Sequence, residues 1–177
     1  PGETEGEDDG GTAIFRSVYS CADEDVMIDE LEGVDCLYML APGLQSFLRR
    51  TFPGARCSSH LSITASRFRE RAADMPRVYI DIRNRYVDFV AFDGERLLTG
   101  VTHRWTGIAD IKYHLMNLME IHGLDPAATQ VSLSGMREVK PPLVKELRKD
   151  MAYVMLTLLP SIAGTDMPLA AALLLRK

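Results

Sequence analysis

The chain has 177 residues, of which 46% are hydrophobic and 25% charged, and its formal net charge is −5. This composition is typical of a folded globular protein, and the acidic balance disfavours a general nucleic-acid binder, which needs a basic face. No apolar run reaches the about 18–20 residues that span a bilayer, and the cysteines lack a C-x-x-C spacing. We therefore predict a cytoplasmic protein without a membrane span, a nucleic-acid partner or a disulfide framework.

The residues before position 76 predict a tail followed by a small lobe. Residues 1–12 are acidic and rich in glycine, so we expect them to be disordered. The pattern over 13–75 predicts strands at 13–19, 25–29, 35–40 and 57–61, with helices after Pro42 and at 66–73. Met75-Pro76 is the predicted domain boundary, because Pro76 disfavours a helix at the residue before it.

The second domain, residues 76–177, is predicted to begin with a meander of strands. Alternating apolar residues predict these strands, and Asp93-Gly94 marks a turn between two of them. Apolar residues occupy both faces of the middle strand apart from Asp88, which indicates a strand covered on both sides. The predicted elements are strands near 78–83, 86–93, 96–103, 131–134 and 153–158, and helices near 108–122, 142–149 and 167–175.

The helix near 108–122 has the clearest pattern in the chain. Thr106 is a suitable N-cap, Asp110 favours the first turn, and Gly123 supplies the stop. One apolar stripe runs along the helix and is formed by Ile108, Ile111, Leu115, Leu118 and Met119. A right-handed crossover through this helix would make the strand at 131–134 parallel to the first strand of the meander.

The order β-β-β-α-β-α-β-α is typical of the ribonuclease-H-like α/β fold that actin-like ATPases use. We therefore predict a mixed sheet of this fold for 76–177, with a partial lobe of a similar kind over 13–75. The architecture alone does not determine function, because one fold carries many activities.

Motifs for catalysis and metal binding do not stand out. The histidines have no metal-ligand spacing, and no phosphate-binding loop or nucleophile elbow occurs. A ribonuclease-H-type nuclease needs several carboxylates around two metal ions. Asp81 fits one of them, but Ser134 stands where another is expected, and Glu120 is the only other candidate acid. We therefore predict no catalytic residue and no metal site, and a nuclease is a distant alternative.

Four stretches are distinctive when they are taken together. They are VYIDIRNRYVDF at 78–89, FDGERLL at 92–98, SLSG at 132–135, and FPGAR at 52–56 followed by His60-Leu61. From Ile14 onward the chain resembles, on these stretches, an uncharacterised bacterial family catalogued as a domain of unknown function. The resemblance implies an actin-like ATPase fold, distantly similar to proteins of type IV pilus assembly and cell division.

The same resemblance implies where a nucleotide would bind. Actin-like ATPases hold phosphate at an Asp-x-Gly turn in the first hairpin, where glycine lets backbone N–H groups approach the anion. This chain has Asp81-Ile82-Arg83, so a bulky cation replaces the glycine. Of the pair of glycines on the adenosine side, Gly135 alone is present, next to Ser134. We therefore expect a degenerate site without a cofactor; the alternative is weak ATP binding, with Mg²⁺ near Asp81.

The arginines around this hairpin suggest a role in anion binding. Arg83, Arg85 and Arg137 would give a positive lining to the cleft that lies between the two lobes of an actin-like fold. Such a lining suits an anionic ligand or the acidic segment of a partner, held by charge-assisted hydrogen bonds. We therefore expect a binding or scaffold module that has an unknown protein partner, and this role is also compatible with an oligomer of the chain. Asp81 has a simpler structural interpretation, as a strand-end carboxylate that caps the hairpin.

Overall fold

The computed structural model describes residues 10–19, 26–31, 33–69 and 75–157. Contacts within the chain divide it into two compact units, residues 1–59 and 60–177. Of the tail predicted to be disordered, residues 1–9 lie outside the described residues, and Gly10 is the first residue of a helix.

The first unit contains a β-hairpin and short helices. Its elements are α1 (Gly10–Tyr19), β1 (Val26–Leu31), β2 (Val34–Met39) and α2 (Leu44–Thr51). The strands β1 and β2 are antiparallel, and Gly33 between them has φ 81°. The Asp29 carboxylate accepts a hydrogen bond from the Ser59 backbone N–H at 2.6 Å. Burial and the charge of the nearby Asp29 raise the pKa of Tyr38 to about 12.

Two strands predicted in this part of the chain are wrong. Residues 13–19 belong to the helix α1. Phe15 and Tyr19, four positions apart, bring their rings to 4.6 Å, which is a helical contact that the strand prediction overlooked. The strand predicted at 57–61 is also absent, since residues 55–59 have no regular structure and a helix begins at His60.

The second unit is a five-stranded mixed sheet with helices. Its elements are α3 (His60–Arg69), β3 (Arg77–Ile82), β4 (Tyr86–Asp93), β5 (Arg96–Arg104), α4 (Ile108–His122), β6 (Gln130–Gly135), α5 (Lys140–Leu147) and β7 (Tyr153–Leu156). The strand order is β5-β4-β3-β6-β7. β3 and β6 are parallel, as the crossover rule predicted, and β4 is antiparallel to both β3 and β5. The helix predicted at 167–175 lies outside the described residues.

The two faces of this sheet are covered by different helices. On one face, α4 and α5 bury a continuous apolar core, which includes Val78, Ile80, Phe89, Ile111, Leu115, Leu133, Leu143 and Leu147. On the other face, Phe68 of α3 stacks on Tyr79 of β3 with ring centroids 4.0 Å apart. This second contact explains why the compact unit begins at His60, whereas the predicted boundary lay at Met75-Pro76.

The start of α4 differs by one residue from the predicted cap. Gly107 is the N-cap, and the Asp110 carboxylate accepts hydrogen bonds from the backbone N–H groups of Thr106 and Gly107, at 2.8 and 3.2 Å. The Thr106 hydroxyl donates to the same oxygen at 2.7 Å. These bonds, that of the Thr106 hydroxyl first, lower the pKa of Asp110. Gly123 ends the helix with φ 65°, as predicted.

Two histidines stack on each other between β5 and α4. The rings of His103 and His114 lie 4.1 Å apart at an interplanar angle of 3°. Phe89 and Tyr113 flank the pair at 6.0 and 5.5 Å. Burial, and then the charge of His114, lower the pKa of His103.

The stability of the second unit should therefore decrease in mildly acidic solution. Unfolded histidine has a pKa of about 6.5. As the pH falls through that value, the unfolded chain takes up the His103 proton before the folded chain does, so the free energy of unfolding decreases. The decrease stops below the folded pKa. Urea unfolding at pH 7.5, 6.5 and 5.5 measures this slope. His103→Gln should flatten it, and the control His122→Gln should not; equal slopes for wild type and His103→Gln would contradict the prediction.

Candidate functional site

The carboxyl ends of four strands, β3, β5, β6 and β7, lie at one edge of the sheet, since β7 is parallel to β6. β3 and β6 are parallel, and β5 runs in the same direction as β3 because β4 is antiparallel to both. The tip of the β3–β4 hairpin, residues 83–86, lies at the same edge. In open α/β sheets, ligands bind outside the carboxyl ends of the strands. We call this the carboxyl edge, and it contains every site residue predicted from the sequence.

A row of polar residues crosses the sheet just below this edge. The strand register aligns Ser134 of β6 with Asp81 of β3, Asp81 with Asp88 of β4, and Asp88 with Thr102 of β5. Ser134, Asp81 and Asp88 are buried. Like charges directly opposite each other on neighbouring strands are destabilising, so Asp81 and Asp88 each need partners of their own.

Asp81 finds its partner on β6. The Ser134 hydroxyl donates to Asp81 Oδ1 at 2.6 Å and lies 3.1 Å from the carbonyl oxygen of Ile80. The structure thus brings together two of the residues predicted for the nucleotide site. Their contact is a hydrogen bond within the sheet, buried on both sides.

Asp88 is surrounded by three polar side chains from three different elements. Arg83 Nη2 and Thr102 Oγ1 donate to its Oδ1 at 2.7 and 2.6 Å, and His60 Nε2 lies 3.2 Å from the same oxygen. Burial by itself raises the pKa of this carboxyl. The hydrogen bonds from the three side chains and the charge of His60 outweigh burial, so the pKa of Asp88 is lowered.

This cluster was only partly visible in the sequence. Asp88 stood out as the polar residue of an apolar strand, but nothing local connected it to His60, which is 28 positions earlier. Arg83 was predicted to line an anion-binding cleft. In the structure its guanidinium forms an ion pair with Asp88, and its side chain is 29% exposed.

The hairpin tip is fastened by backbone hydrogen bonds and by Trp105. The Arg83 N–H donates to the carbonyl oxygen of Tyr86 at 2.8 Å, and the Trp105 N–H donates to that of Arg85 at 3.3 Å. Trp105 Nε1 donates to the Arg83 carbonyl oxygen at 2.9 Å. Its indole also packs against the apolar core. These bonds tie the backbone of the tip to Trp105.

Gly135 is required by the packing of β6 against β3. Its φ is 87°, in the left-handed region, and a Cβ at this position would lie 2.6 Å from the Ile82 nitrogen and 2.7 Å from the Ile82 carbonyl carbon. The next residue, Met136, donates its N–H to the Ile82 carbonyl oxygen at 2.8 Å. A structural reason thus accounts for this glycine without any ligand.

The other predicted arginines are exposed. Arg85 lies at the hairpin tip and Arg137 follows β6. Arg104, at the end of β5, was not predicted to belong to the site. Its guanidinium lies 5.7 Å from the centre of the Tyr86 ring, and that of Arg83 lies 5.9 Å from it. The strand register that pairs Arg104 with Tyr86 brings it to the edge, and the sequence shows no sign of that register.

In the described part of the chain, no group of three or more His, Cys, Asp or Glu side chains could hold a metal ion. Within the same residues, no helix has the length and apolar character needed to cross a membrane.

Comparison with known proteins identifies the family. Residues 15–154 match the family described as "Protein of unknown function (DUF3822)". The chain belongs to this family. No curated protein is significantly similar to it in sequence.

A solved structure supports the fold. It is a Bacteroides thetaiotaomicron VPI-5482 protein described as having an "actin-like ATPase fold and unknown function". The match has a TM-score of 0.80 and 19% sequence identity, and it covers 95% of this chain and 66% of that chain. The DUF3822 chain therefore has the predicted actin-like ATPase fold, and it spans about two thirds of the length of this neighbour.

Gly135→Ala should destabilise the second unit strongly. The new Cβ would collide with the backbone of Ile82 and sit at φ 87°, so we expect a loss of more than about 2 kcal/mol in the free energy of unfolding. Gly94→Ala is the matched control, because Gly94 also has positive φ, 59°, but a Cβ there meets no atom within 4 Å. Its cost should be about 1 kcal/mol. Equal costs in urea unfolding would refute the close approach.

A double-mutant cycle tests whether the ion pair between Arg83 and Asp88 stabilises the fold. Arg83→Gln, Asp88→Asn and the double variant should show a coupling of about 1 kcal/mol or more in the free energy of unfolding, because Asp88 is buried. The exposed Lys149–Glu146 pair provides the control cycle, with an expected coupling below about 0.5 kcal/mol. If the Arg83 and Asp88 effects add within about 0.3 kcal/mol, the pair does not stabilise the fold.

Proposed function

We propose that this DUF3822 protein is a binding module that keeps an actin-like fold without turning over ATP. One observation carries the proposal: at the carboxyl edge the Arg83 N–H, the Arg83 guanidinium and the Met136 N–H are all bonded within the domain. We further propose a cytoplasmic location, which the cysteine spacing supports.

The backbone N–H groups near the carboxyl edge support this proposal. A phosphate cradle needs several N–H groups that point at the anion. The Arg83 N–H donates to Tyr86, and the Met136 N–H donates to Ile82. A phosphate that used these groups would have to break hairpin and sheet hydrogen bonds, each with a net value of about 1 kcal/mol.

The side chains support it as well. Mg²⁺ in nucleotide sites is held by one or two carboxylates and keeps several waters, which requires open space around the carboxylate. Asp81 is 4% exposed and accepts a hydrogen bond from Ser134. Arg83, which replaces the glycine of the phosphate turn, is bound to Asp88. These contacts favour a degenerate nucleotide site.

Weak ATP binding is the second candidate, and one observation favours it. Asp81, Ser134 and Gly135 lie together at the ends of two parallel strands, which is the ligand-binding position of open α/β sheets. In this case Mg²⁺ would lie near Asp81 and adenosine near Gly135, and binding would displace the Ser134 hydrogen bond.

A thermal-shift experiment separates the two candidates. ATP with Mg²⁺ should raise the Tm by no more than about 1–2 °C, because the phosphate-binding groups are already engaged. A ligand present at 100 times its Kd would stabilise the protein by about 2.7 kcal/mol, which is a much larger shift. Sodium sulfate with MgCl₂ at the same ionic strength controls for salt. A saturable shift well above that of the salt control would favour the ATP-binding candidate and contradict the proposal.

A further inference from the structure

The carboxyl edge presents arginines around an exposed aromatic ring. Tyr86 is 37% exposed, and the guanidiniums of Arg83 and Arg104 lie against its ring. Arg83 forms an ion pair with Asp88, whereas Arg104 is exposed. At these distances a guanidinium is attracted by the ring, while its planar fork of N–H donors can still bind a carboxylate.

Three exposed arginines are spread along this edge, and we call them the arginine edge: Arg104, Arg85 and Arg137. Within the described residues, none of them forms an ion pair with a carboxylate. The whole chain has a net charge of −5, so unpaired arginines gathered on one edge contrast with the rest of the protein.

Three of the carboxylates near this edge are already engaged or buried, and one, Glu138, is exposed. Asp88 binds Arg83, Asp81 is buried, and the Asp110 carboxylate accepts hydrogen bonds from the backbone at the start of α4. Glu138 is exposed beside Arg137 and reduces the positive charge there. Arg85 and Arg104 therefore contribute most to the potential of the edge.

The spacing of these arginines indicates the size of a ligand. Arg104 ends β5, Arg85 lies at the tip between β3 and β4, and Arg137 follows β6. Neighbouring strands are about 4.8 Å apart, so the arginine edge extends over roughly 14 Å. A backbone span of this length suits an extended ligand better than a single small anion. An extended peptide rises about 3.3 Å per residue, so about five residues would span the edge.

We propose that the arginine edge binds an acidic, extended segment of a partner protein. This inference rests on the proposed function and specifies its partner. Asp or Glu side chains of the segment accept charge-assisted hydrogen bonds from Arg104 and Arg85, and its backbone passes over the Tyr86 ring. Because the hairpin tip is fastened by Trp105, little conformational freedom is lost when the segment binds. The acidic total charge of the protein argues against a nucleic acid as the ligand.

Fluorescence anisotropy with a labelled peptide of alternating Glu and Ser tests this proposal on the full chain at low salt. Arg104→Glu and Arg85→Glu should each weaken binding by about tenfold or more, since each replaces attraction by repulsion. Arg104→Lys should weaken it less, because the charge stays while the planar guanidinium fork is lost. The matched control is Arg96→Glu at the opposite end of β5, which should change the affinity by less than about twofold.

Several results would overturn the proposal. These are no binding of the peptide to the wild-type chain, an equal loss of affinity in Arg96→Glu, or tighter binding of a single-stranded DNA of similar length. Thermal unfolding of each variant checks that the fold is intact. The ATP thermal shift is measured on the same samples. A peptide that does not bind contradicts the arginine-edge proposal, whereas a saturable ATP shift contradicts the proposed function. The two failures are therefore distinguishable.

Discussion

The second unit depends on the pairing of β3 with a neighbour on each side. β4 pairs with it in the antiparallel direction and β6 in the parallel direction, and its residues from Val78 to Ile82 are buried. Gly135 allows the end of β6 to approach the backbone of Ile82 more closely than any side chain would permit. This approach fixes the carboxyl edge, and with it the position of every residue considered for function.

The same pairing creates an electrostatic conflict that the surrounding residues reduce. The register places two carboxylates, Asp81 and Asp88, on facing positions of neighbouring strands. Each has partners of its own: Ser134 of β6 donates to Asp81, while Arg83 of the hairpin tip and Thr102 of β5 donate to Asp88. Arg83, which stands where the phosphate turn would have a glycine, thus has a structural role as the ion-pair partner of Asp88. A phosphate at the hairpin would compete with Asp88 for the Arg83 guanidinium. We therefore propose a binding role at the exposed arginines in preference to a phosphate site at the hairpin.

Much of the second unit could be predicted from the sequence, because its signals are local. Each signal lies within a short stretch of sequence: the alternating apolar residues of the strands, the Asp93-Gly94 turn and the apolar stripe of α4. The crossover rule then predicts that β6 is parallel to β3. The errors arose where local patterns were ambiguous. The apolar residues in 13–19 fit both the two-residue period of a strand and the four-residue spacing of a helix. In the structure this segment belongs to the helix α1. The helix α3 begins at His60, in a segment where a strand was predicted.

The candidate site was less accessible to sequence reasoning, because its contacts join distant positions. The predicted residues Asp81, Ser134 and Gly135 do lie together, but what each of them touches depends on strand register. The contact of His60 with Asp88 and the position of Arg104 beside Tyr86 follow from the packing of α3 and from the pairing of β4 with β5. Neither leaves a signal in the sequence.

The central claim is that the N–H groups of Arg83 and Met136 at the carboxyl edge are engaged within the domain. Amide hydrogen exchange of Arg83 and Met136, followed by NMR, measures this directly. The account predicts slow exchange at both amides in the free protein, with no change when ATP and Mg²⁺ are added, because their N–H groups are bonded to Tyr86 and Ile82. Fast exchange in the free protein that becomes slow on addition of ATP and Mg²⁺ would contradict it.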